Sequence, residues 1–153
     1  MTSLNRSKLN VLLVEDDNDD QYFFKEALEQ LDFHHEVSFA KDCYELFSLL
    51  DDQRVFDIIF MDINLPGIDG RGCLQQIKKY NRYKDIPIII FTVSFAESDI
   101  DFMYKNGAHF YVVKPYAHIS YLATLKTVFE LDWKKKQPRP AFEDFTVNLS
   151  VNS

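Results

Sequence analysis

The chain has little glycine and cysteine, and it contains no long run of apolar residues. None of its four glycines stands in a glycine-rich loop after the first apolar segment, which argues against a nucleotide-binding motif there. Cys43 and Cys73 follow no metal or redox spacing, so we expect reduced thiols on helix faces. No stretch is long and apolar enough to span a membrane, and residues 1–10 lack the apolar core of a signal peptide. We therefore expect a cytoplasmic protein that does not contact a membrane.

Basic residues are outnumbered by acidic ones. The sequence has 17 lysines and arginines against 24 acidic residues, which gives a net charge of -7. This balance argues against non-specific binding of nucleic acid. A chain of 153 residues with 46% apolar content can form one domain that buries about 70% of its unfolded surface.

Apolar segments alternate five times with segments of helical periodicity. The apolar segments are residues 9–14, 36–40, 57–61, 86–91 and 110–113. Four of them are continuous apolar runs, as expected for parallel strands that are covered on both faces. The order predicts an α/β doubly wound parallel sheet in residues 1–133. Residues 134–153 form a tail that is either strand-like or disordered, because 145–151 alternate between apolar and polar residues.

Polar residues follow directly after four of the predicted strands. Glu15 and Asp16 follow the first, Asp62 the third, Thr92 the fourth and Lys114 the fifth. The carboxyl ends of parallel strands form one rim, where open α/β sheets bind their ligands. Carboxylates crowded there repel one another, and Mg²⁺ would relieve the repulsion with the oxygen ligands it prefers. No histidine or cysteine is near in sequence, which argues against zinc.

These groups suit phosphoryl transfer to Asp62. Aspartate carboxylates act as nucleophiles in known phosphoryl transfers. A metal ion and Lys114 can stabilise the charge on the transferring group, and the Thr92 hydroxyl can donate to one of its oxygens. By contrast, we interpret Asp19 and Asp20 only as acids in a first helical turn, where the helix dipole favours them.

With these motifs, the sequence resembles the receiver domain of two-component response regulators over residues 9–131. The matching motifs are Val14-Glu15-Asp16, Met61 to Gly67, Phe91-Thr92 and Tyr111 to Pro115. Each motif is weak alone, but four in order at strand ends are highly specific. The resemblance implies a single flavodoxin-like domain with a five-stranded parallel sheet, strand order 2-1-3-4-5, and five helices. The long last helix and the tail also resemble the single-domain regulators that are paired with bacterial phytochromes.

The resemblance also implies the role of each site residue. Asp62 would accept a phosphoryl group from a sensor histidine kinase or a histidine phosphotransfer protein. The implied Mg²⁺ ligands are Asp16, Asp62 and the backbone carbonyl of Asn64, with Glu15 acting mainly through metal-bound water. Thr92 and Lys114 would contact the phosphoryl group, and Thr92 and Tyr111 would form the switch. Pro115 stands where the family usually has a cis proline, whereas Val93 departs from the family, which usually has a smaller residue there.

Three alternatives can be weighed from the sequence. Phosphohydrolases resembling haloacid dehalogenase typically need a second aspartate two positions after the nucleophile, and Asn64 cannot act as that acid and base. A receiver that only binds partners would be suggested by a lost acid or lysine, and none is lost. A phosphorelay intermediate that passes the phosphoryl group on stays open, because the sequence contains no second domain that would identify the output.

The expected function is therefore that of a phospho-acceptor signalling module, which catalyses only its own phosphorylation and dephosphorylation. Its downstream partner is unknown and would be a protein. We expect a homodimer built on the fourth helix, the fifth strand and the fifth helix, with the tail on the same or the neighbouring subunit. The alternative is a monomer with a disordered tail.

Overall fold

The computed structural model describes residues 7–147, which form one six-stranded parallel sheet with helices on both faces. The strands are β1 (Leu9–Val14), β2 (His35–Ala40), β3 (Ile58–Met61), β4 (Ile88–Thr92), β5 (Phe110–Val113) and β6 (Thr146–Val147). Their order in the sheet is β2-β1-β3-β4-β5-β6. The predicted α/β fold and the order 2-1-3-4-5 are confirmed, and β6 extends the sheet by one short strand.

Five α-helices connect the strands within residues 7–147, as predicted, and a short 3₁₀ helix (Phe142–Asp144) precedes β6. They are α1 (Asn18–Gln30), α2 (Cys43–Asp51), α3 (Gly70–Lys79), α4 (Glu97–Lys105) and α5 (His118–Phe129). Asp17, Asp42 and Asp69 cap the first three helices, because each side chain accepts hydrogen bonds from backbone N–H groups of the first turn. The last helix, α5, ends at Phe129, and Glu130 forms its C-cap.

The hydrophobic core lies in two layers, one on each face of the sheet. Side chains of β1 alternate between the layers, with Leu12 and Val14 on one face and Val11 and Leu13 on the other. The first layer contains α2, α3 and α4, and the second contains α1 and α5. Cys43 and Cys73 are buried in the first layer without a disulfide, as expected.

After α5 the chain runs along the edge of the sheet; we call residues 130–147 the C-terminal segment. Its two-residue strand pairs in parallel with β5, and Tyr111 is the partner of Thr146. Phe145 is fully buried and packs near the rings of Tyr104 and Tyr111. Within 145–151, where the sequence pattern predicts a strand, Thr146 and Val147 form β6, and 148–153 lie outside the described residues.

Two further expectations can be compared with the structure. The family position of Pro115 suggested a cis proline, but residues 7–147 contain no cis peptide bond, so that expectation is wrong here. In the same residues, no helix combines the length and apolar character that crossing a membrane would need.

Candidate functional site

Asp62 follows β3 directly and lies at the carboxyl end of the sheet. Its backbone N–H donates to the Val14 carbonyl at 3.1 Å, which places the third strand end beside the first. The residue is only 8% exposed, and its side-chain Oδ1 accepts a hydrogen bond from the Ile63 N–H at 2.7 Å. Gly70 permits this turn, because a Cβ at that position would lie 2.5 Å from the Asp62 carbonyl oxygen. The turn therefore holds the aspartate at the rim with little freedom.

The ammonium group of Lys114 lies among three carboxylates. Its Nζ is 2.7 Å from Glu15, 3.2 Å from Asp20 and 3.8 Å from Asp62. The Lys114 backbone N–H donates to the Thr92 carbonyl at 2.7 Å, so the register of β5 on β4 determines where the lysine stands. We call Glu15, Asp20, Asp62 and Lys114 the acceptor cluster.

Burial and charge shift the pKa values in the acceptor cluster. Burial raises the pKa of Glu15 to about 7, although the ion pair with Lys114 opposes this effect. Burial by itself would lower the pKa of Lys114, but the charges of Asp62, Glu15 and Asp20 outweigh it and the pKa is raised. The lysine therefore stays charged at neutral pH, and one cation faces more negative charge than it can balance.

Asp20 belongs to this cluster, although a favourable place in the helix dipole is the only role that the sequence predicts for it. The helix begins at Asn18, directly after the Asp17 cap. This start turns Asp20 towards the rim, where it reaches Lys114. The Asp17 cap was the signal for this contact, because it fixes the start of α1 and so the direction of the Asp20 side chain.

Thr92 and Tyr111 are linked through Ser94. The hydroxyl of Thr92 accepts a long hydrogen bond of 3.4 Å from the Ser94 N–H, and the Tyr111 hydroxyl donates to the Ser94 carbonyl at 2.9 Å. Both Thr92 and Tyr111 are fully buried, and burial raises the pKa of Tyr111 to about 12, so its hydroxyl is a donor at neutral pH. The predicted switch residues are therefore joined by the loop that follows β4.

An ion pair continues this connection to α3 and α4. The Ser94 hydroxyl donates to Asp99 at 2.6 Å, and the other oxygen of Asp99 accepts a short hydrogen bond from Arg71. Arg71 also contacts Asp69, the cap of α3. Burial opposes ionisation of Asp99, but the hydrogen bonds from Ser94 and Arg71 hold its pKa below the ordinary value. Nothing in the sequence marked Arg71, Ser94 or Asp99, because they meet only after α3 and α4 pack together.

The donor set at the rim fits a hard divalent cation. Asp16 is exposed beside buried Glu15, and Asn64 is exposed in the turn after Asp62. All of these groups offer oxygen, which Mg²⁺ prefers. Within residues 7–147, no three acidic, histidine or cysteine side chains converge as a preformed ion site, and Lys114 instead lies between the carboxylates. Glu15, Asp20 and Asp62 surround the single ammonium group of Lys114, and a bound cation would balance the remaining negative charge.

Curated proteins with similar sequences include two regulators. The chain is 31% identical over 110 residues to response regulator Rcp1 of Synechocystis sp. This match covers 68% of this chain and 75% of that protein. It is 29% identical over 141 residues to the probable methanogenesis regulatory protein FilR2 of Methanothrix harundinacea, covering 86% of this chain and 88% of the other.

Solved structures show the same fold and extend the comparison. The phosphorylated cyanobacterial phytochrome response regulator RcpA aligns with a TM-score of 0.77 and 28% identity, over 88% of this chain and all of that one. The Mn²⁺-bound form of Rcp1 aligns with a TM-score of 0.74 and 26% identity, over 87% of this chain and 99% of the other. The expected likeness to phytochrome response regulators is thus confirmed.

The family comparison covers the sheet and most of the last helix. The family model described as the response regulator receiver domain matches residues 11–126, which is more than half of the chain and contains the whole acceptor cluster. On this match, the chain belongs to the response regulator receiver domain family, a family of signalling modules.

Proposed function

We propose that Asp62 accepts a phosphoryl group in a Mg²⁺-dependent reaction. The donor would be a sensor histidine kinase or a histidine phosphotransfer protein, and the product would switch the protein-binding surface of this chain. The observation that carries the proposal is the position of Lys114 Nζ, 3.8 Å from Asp62 at the carboxyl end of the sheet. Membership of the receiver family and the likeness to a phosphorylated regulator support it.

The reaction can be written from the groups in place. A carboxylate oxygen of Asp62 forms a bond to phosphorus as the bond to the donor histidine nitrogen breaks, and the histidine keeps the bonding electron pair. Lys114 faces the oxygens on which negative charge increases, and the Thr92 hydroxyl can donate to one of them. Mg²⁺, held by Asp16, Asp62 and the Asn64 carbonyl with Glu15 beside them, would neutralise part of that charge.

Switching would use the contact between Thr92 and Ser94. The 3.4 Å hydrogen bond is long, so Thr92 loses little when its hydroxyl turns to a phosphoryl oxygen. Moving a two-state element from 1:99 to 99:1 needs about 5.5 kcal/mol, and a hydrogen bond to a charged group supplies roughly 1.5–3 kcal/mol. Two such bonds, from Thr92 and Lys114, would supply most of the difference. Tyr111 already points inward, where it holds the Ser94 carbonyl.

The direct test is the mass of the protein after incubation with acetyl phosphate and Mg²⁺. The wild type should gain one phosphoryl group, whereas Asp62→Asn should gain none. Asp52→Asn changes an exposed acid just after α2 and should behave as the wild type. An adduct of equal yield on Asp62→Asn would show that the acceptor is another residue. Asp16→Ala should lose most Mg²⁺ binding and phosphorylation while it keeps its fold.

We further propose a homodimer through α4, β5 and α5. In the structure the C-terminal segment pairs with β5 of its own chain and covers part of that face. Sedimentation of the full chain and of a chain that ends at Lys136 tests the segment's role. If both are monomers with and without a phosphoryl mimic, the dimer is wrong. If only the shorter chain fails to dimerise, the segment forms part of the interface.

The relay and binding-only alternatives give different results with a histidine phosphotransfer protein. Phosphorylated protein that loses its label to that partner, faster than to water, would indicate a phosphorelay intermediate. Protein that never acquires the label from acetyl phosphate or a kinase would indicate a binding module. Retention of the label, with a changed set of bound proteins, is the result expected for the proposed switch.

A further inference from the structure

A cavity of about 540 Å³ lies at the amino ends of the strands, opposite the acceptor cluster. Its walls come from three parts of the chain: the residues just before β3, β4 and β5, the end of α3 with the turn that follows it, and the C-terminal segment. We call it the amino-end cavity. Trp133, the single tryptophan of the sequence, lines it.

The lining of the amino-end cavity is strongly basic. Seven basic side chains line it: Lys78, Arg82, Lys84, Lys134, Lys135, Lys136 and Arg139. Among the described residues that line it, only Asp57 and Asp85 are acidic. In a chain with a net charge of -7, this concentration of positive charge stands out from the rest of the molecule.

Most of these cations lack a carboxylate partner. Lys134 pairs with Asp57 at 3.0 Å, and Arg82 pairs with Asp51 at 3.3 Å outside the cavity. Among residues 7–147, no carboxylate lies within 4.0 Å of the other five. The guanidinium of Arg139 instead donates to the carbonyls of Ala108 and Tyr104, which fixes its position without neutralising its charge.

Lys78 is held at the cavity wall by packing and a neutral partner. Its stem lies against Gly107, where a Cβ would come within 3.2 Å of the lysine Cε. Its Nζ donates to the Lys84 carbonyl at 2.8 Å. Burial and the nearby Arg139 lower the pKa of Lys78. A bound anion would offset both effects, because it would supply the charge that the carbonyl does not.

We propose that the amino-end cavity binds a compact anion carrying two or more phosphoryl groups. The volume is in the range of small-molecule pockets, and the cations that line it come from two separate parts of the chain, α3 with its turn and the C-terminal segment. Lysine and arginine are the usual ligands of phosphate. The chain's own first eight residues cannot serve, since they contain no acid and carry Arg6 and Lys8.

The ligand would join the turn after α3 to the C-terminal segment. Lys78 and Lys84 belong to α3 and the turn after it, and Lys135, Lys136 and Arg139 belong to the C-terminal segment. Because the same segment continues into β6 beside β5, binding stabilises its docked position. The ligand should therefore raise the melting temperature as its concentration rises above Kd.

The test is a titration with inorganic tripolyphosphate, followed by Trp133 fluorescence, with EDTA present to remove divalent metal. The wild type should show saturable binding that weakens with added salt. Lys78→Gln and the double variant Lys135→Gln/Lys136→Gln should each bind about tenfold more weakly or worse. Lys25→Gln, an exposed lysine of α1 outside the cavity, should bind within about twofold of the wild type, since it changes only the net charge. Asp62→Asn should also bind normally.

The outcomes separate the sources of the phosphate chain. Equal affinity for tripolyphosphate and ATP supports recognition of the phosphate chain alone, and tighter binding of ATP supports a nucleotide. Absence of a fluorescence change up to about 1 mM tripolyphosphate would overturn the proposal. Equal weakening in Lys25→Gln would also overturn it, because the binding would then follow net charge. Lys135 and Lys136 are exposed, so their double variant should fold. It therefore tests the proposal even if Lys78→Gln fails to fold.

Discussion

One lysine faces three carboxylates at the carboxyl end of the sheet, whereas seven basic side chains and two acids line the cavity at the amino end. The two ends also differ in construction. Glu15, Asp62 and Lys114 each follow a strand directly, so pairing of β1, β3, β4 and β5 brings them together. The amino-end cavity depends on a turn and on a segment that returns from α5. The pairing of strands therefore determines the geometry of the acceptor cluster, whereas the packing of loops determines that of the amino-end cavity.

The largest expected effect comes from removing the one cation of the acceptor cluster. Lys114→Met should slow phosphorylation of Asp62 by acetyl phosphate about 10²- to 10³-fold, the usual cost of losing one donor to a developing charge. Rates from intact mass at fixed Mg²⁺ measure this loss. Lys126→Met, which removes an exposed lysine of α5, should keep the wild-type rate. A rate for Lys114→Met within a few-fold of the wild type would remove the lysine from the mechanism.

The second prediction compares two arginine–aspartate pairs, one at each end of the sheet. The side chains of Arg71 and Asp99 are 39% and 10% exposed, and those of Arg82 and Asp51 are 71% and 57% exposed. Arg71→Met leaves Asp99 buried with only Ser94 as a partner, so we expect a loss of about 2 kcal/mol in the free energy of unfolding. Arg82→Met should cost about 0.5 kcal/mol or less. Urea denaturation of both variants measures the difference, and equal losses would show that burial of Asp99 has no influence.

Much of the carboxyl end could be predicted from the sequence, for a physical reason. Continuous apolar runs identify buried parallel strands. The residue after each run lies at the carboxyl-end rim of the sheet, regardless of the conformation of the connecting loops. Asp62 and Lys114 are therefore placed by a local pattern. Asp20 was missed because its position depends on where α1 begins. The pair of Arg71 and Asp99 was missed because it joins two helices across 28 residues of chain.

The amino-end cavity depends on tertiary contacts that a local sequence pattern does not predict. Lys134, Lys135 and Lys136 are visible in the sequence as a basic run, which by itself indicates only a solvated segment. Their return to the turn after α3 depends on burial of Trp133 and Phe145 against the folded domain. The alternation after Phe145 predicted a strand, but it did not identify β5 as the partner. Contacts of this kind follow from tertiary packing, so they appear only in the structure.

The third prediction concerns the approach to Asp62. Val93 is 57% exposed and, with Asp20 and Lys114, lines a cavity of about 520 Å³ beside the acceptor cluster. A branched side chain there hinders an incoming water, so Val93→Ala should speed loss of the phosphoryl group a few-fold, on the order of 1 kcal/mol or less in the barrier. Ile119→Ala removes another exposed apolar side chain, outside that cavity, and serves as the control. An unchanged rate in Val93→Ala would show that the valine leaves the path open.

The smallest effect is expected from His109 at the amino end. Its ring lies edge-to-face against Trp133, and its Nε2 is 3.2 Å from the Pro138 carbonyl. Burial lowers the pKa of His109 below its ordinary 6.5, and the charges of Arg139 and Lys78 lower it further. Below pH 6.5 the unfolded chain therefore binds more protons at this position than the folded chain, and the free energy of unfolding falls as the pH falls.

Glu15 has the opposite effect on the free energy of unfolding. Its pKa of about 7 lies above its ordinary 4.5, so its contribution to the free energy of unfolding grows as the pH falls from 7 to 4.5.

His109→Gln separates the contribution of the amino end from that of the acceptor cluster. The variant should lose less stability than the wild type between about pH 7.5 and pH 5.5, while the contribution of Glu15 is common to both proteins. Urea denaturation at the two pH values measures how steeply the free energy of unfolding changes with pH in each protein, which we call the pH slope.

Lys78→Gln should reduce the pH slope less than His109→Gln does. It removes one of the two cations that repel the protonated ring, but the ring stays buried. If tripolyphosphate occupies the amino-end cavity, it should also reduce the wild-type slope and leave that of His109→Gln nearly unchanged. Identical slopes in the wild type and His109→Gln would show that the histidine is protonated equally in the folded and unfolded chains.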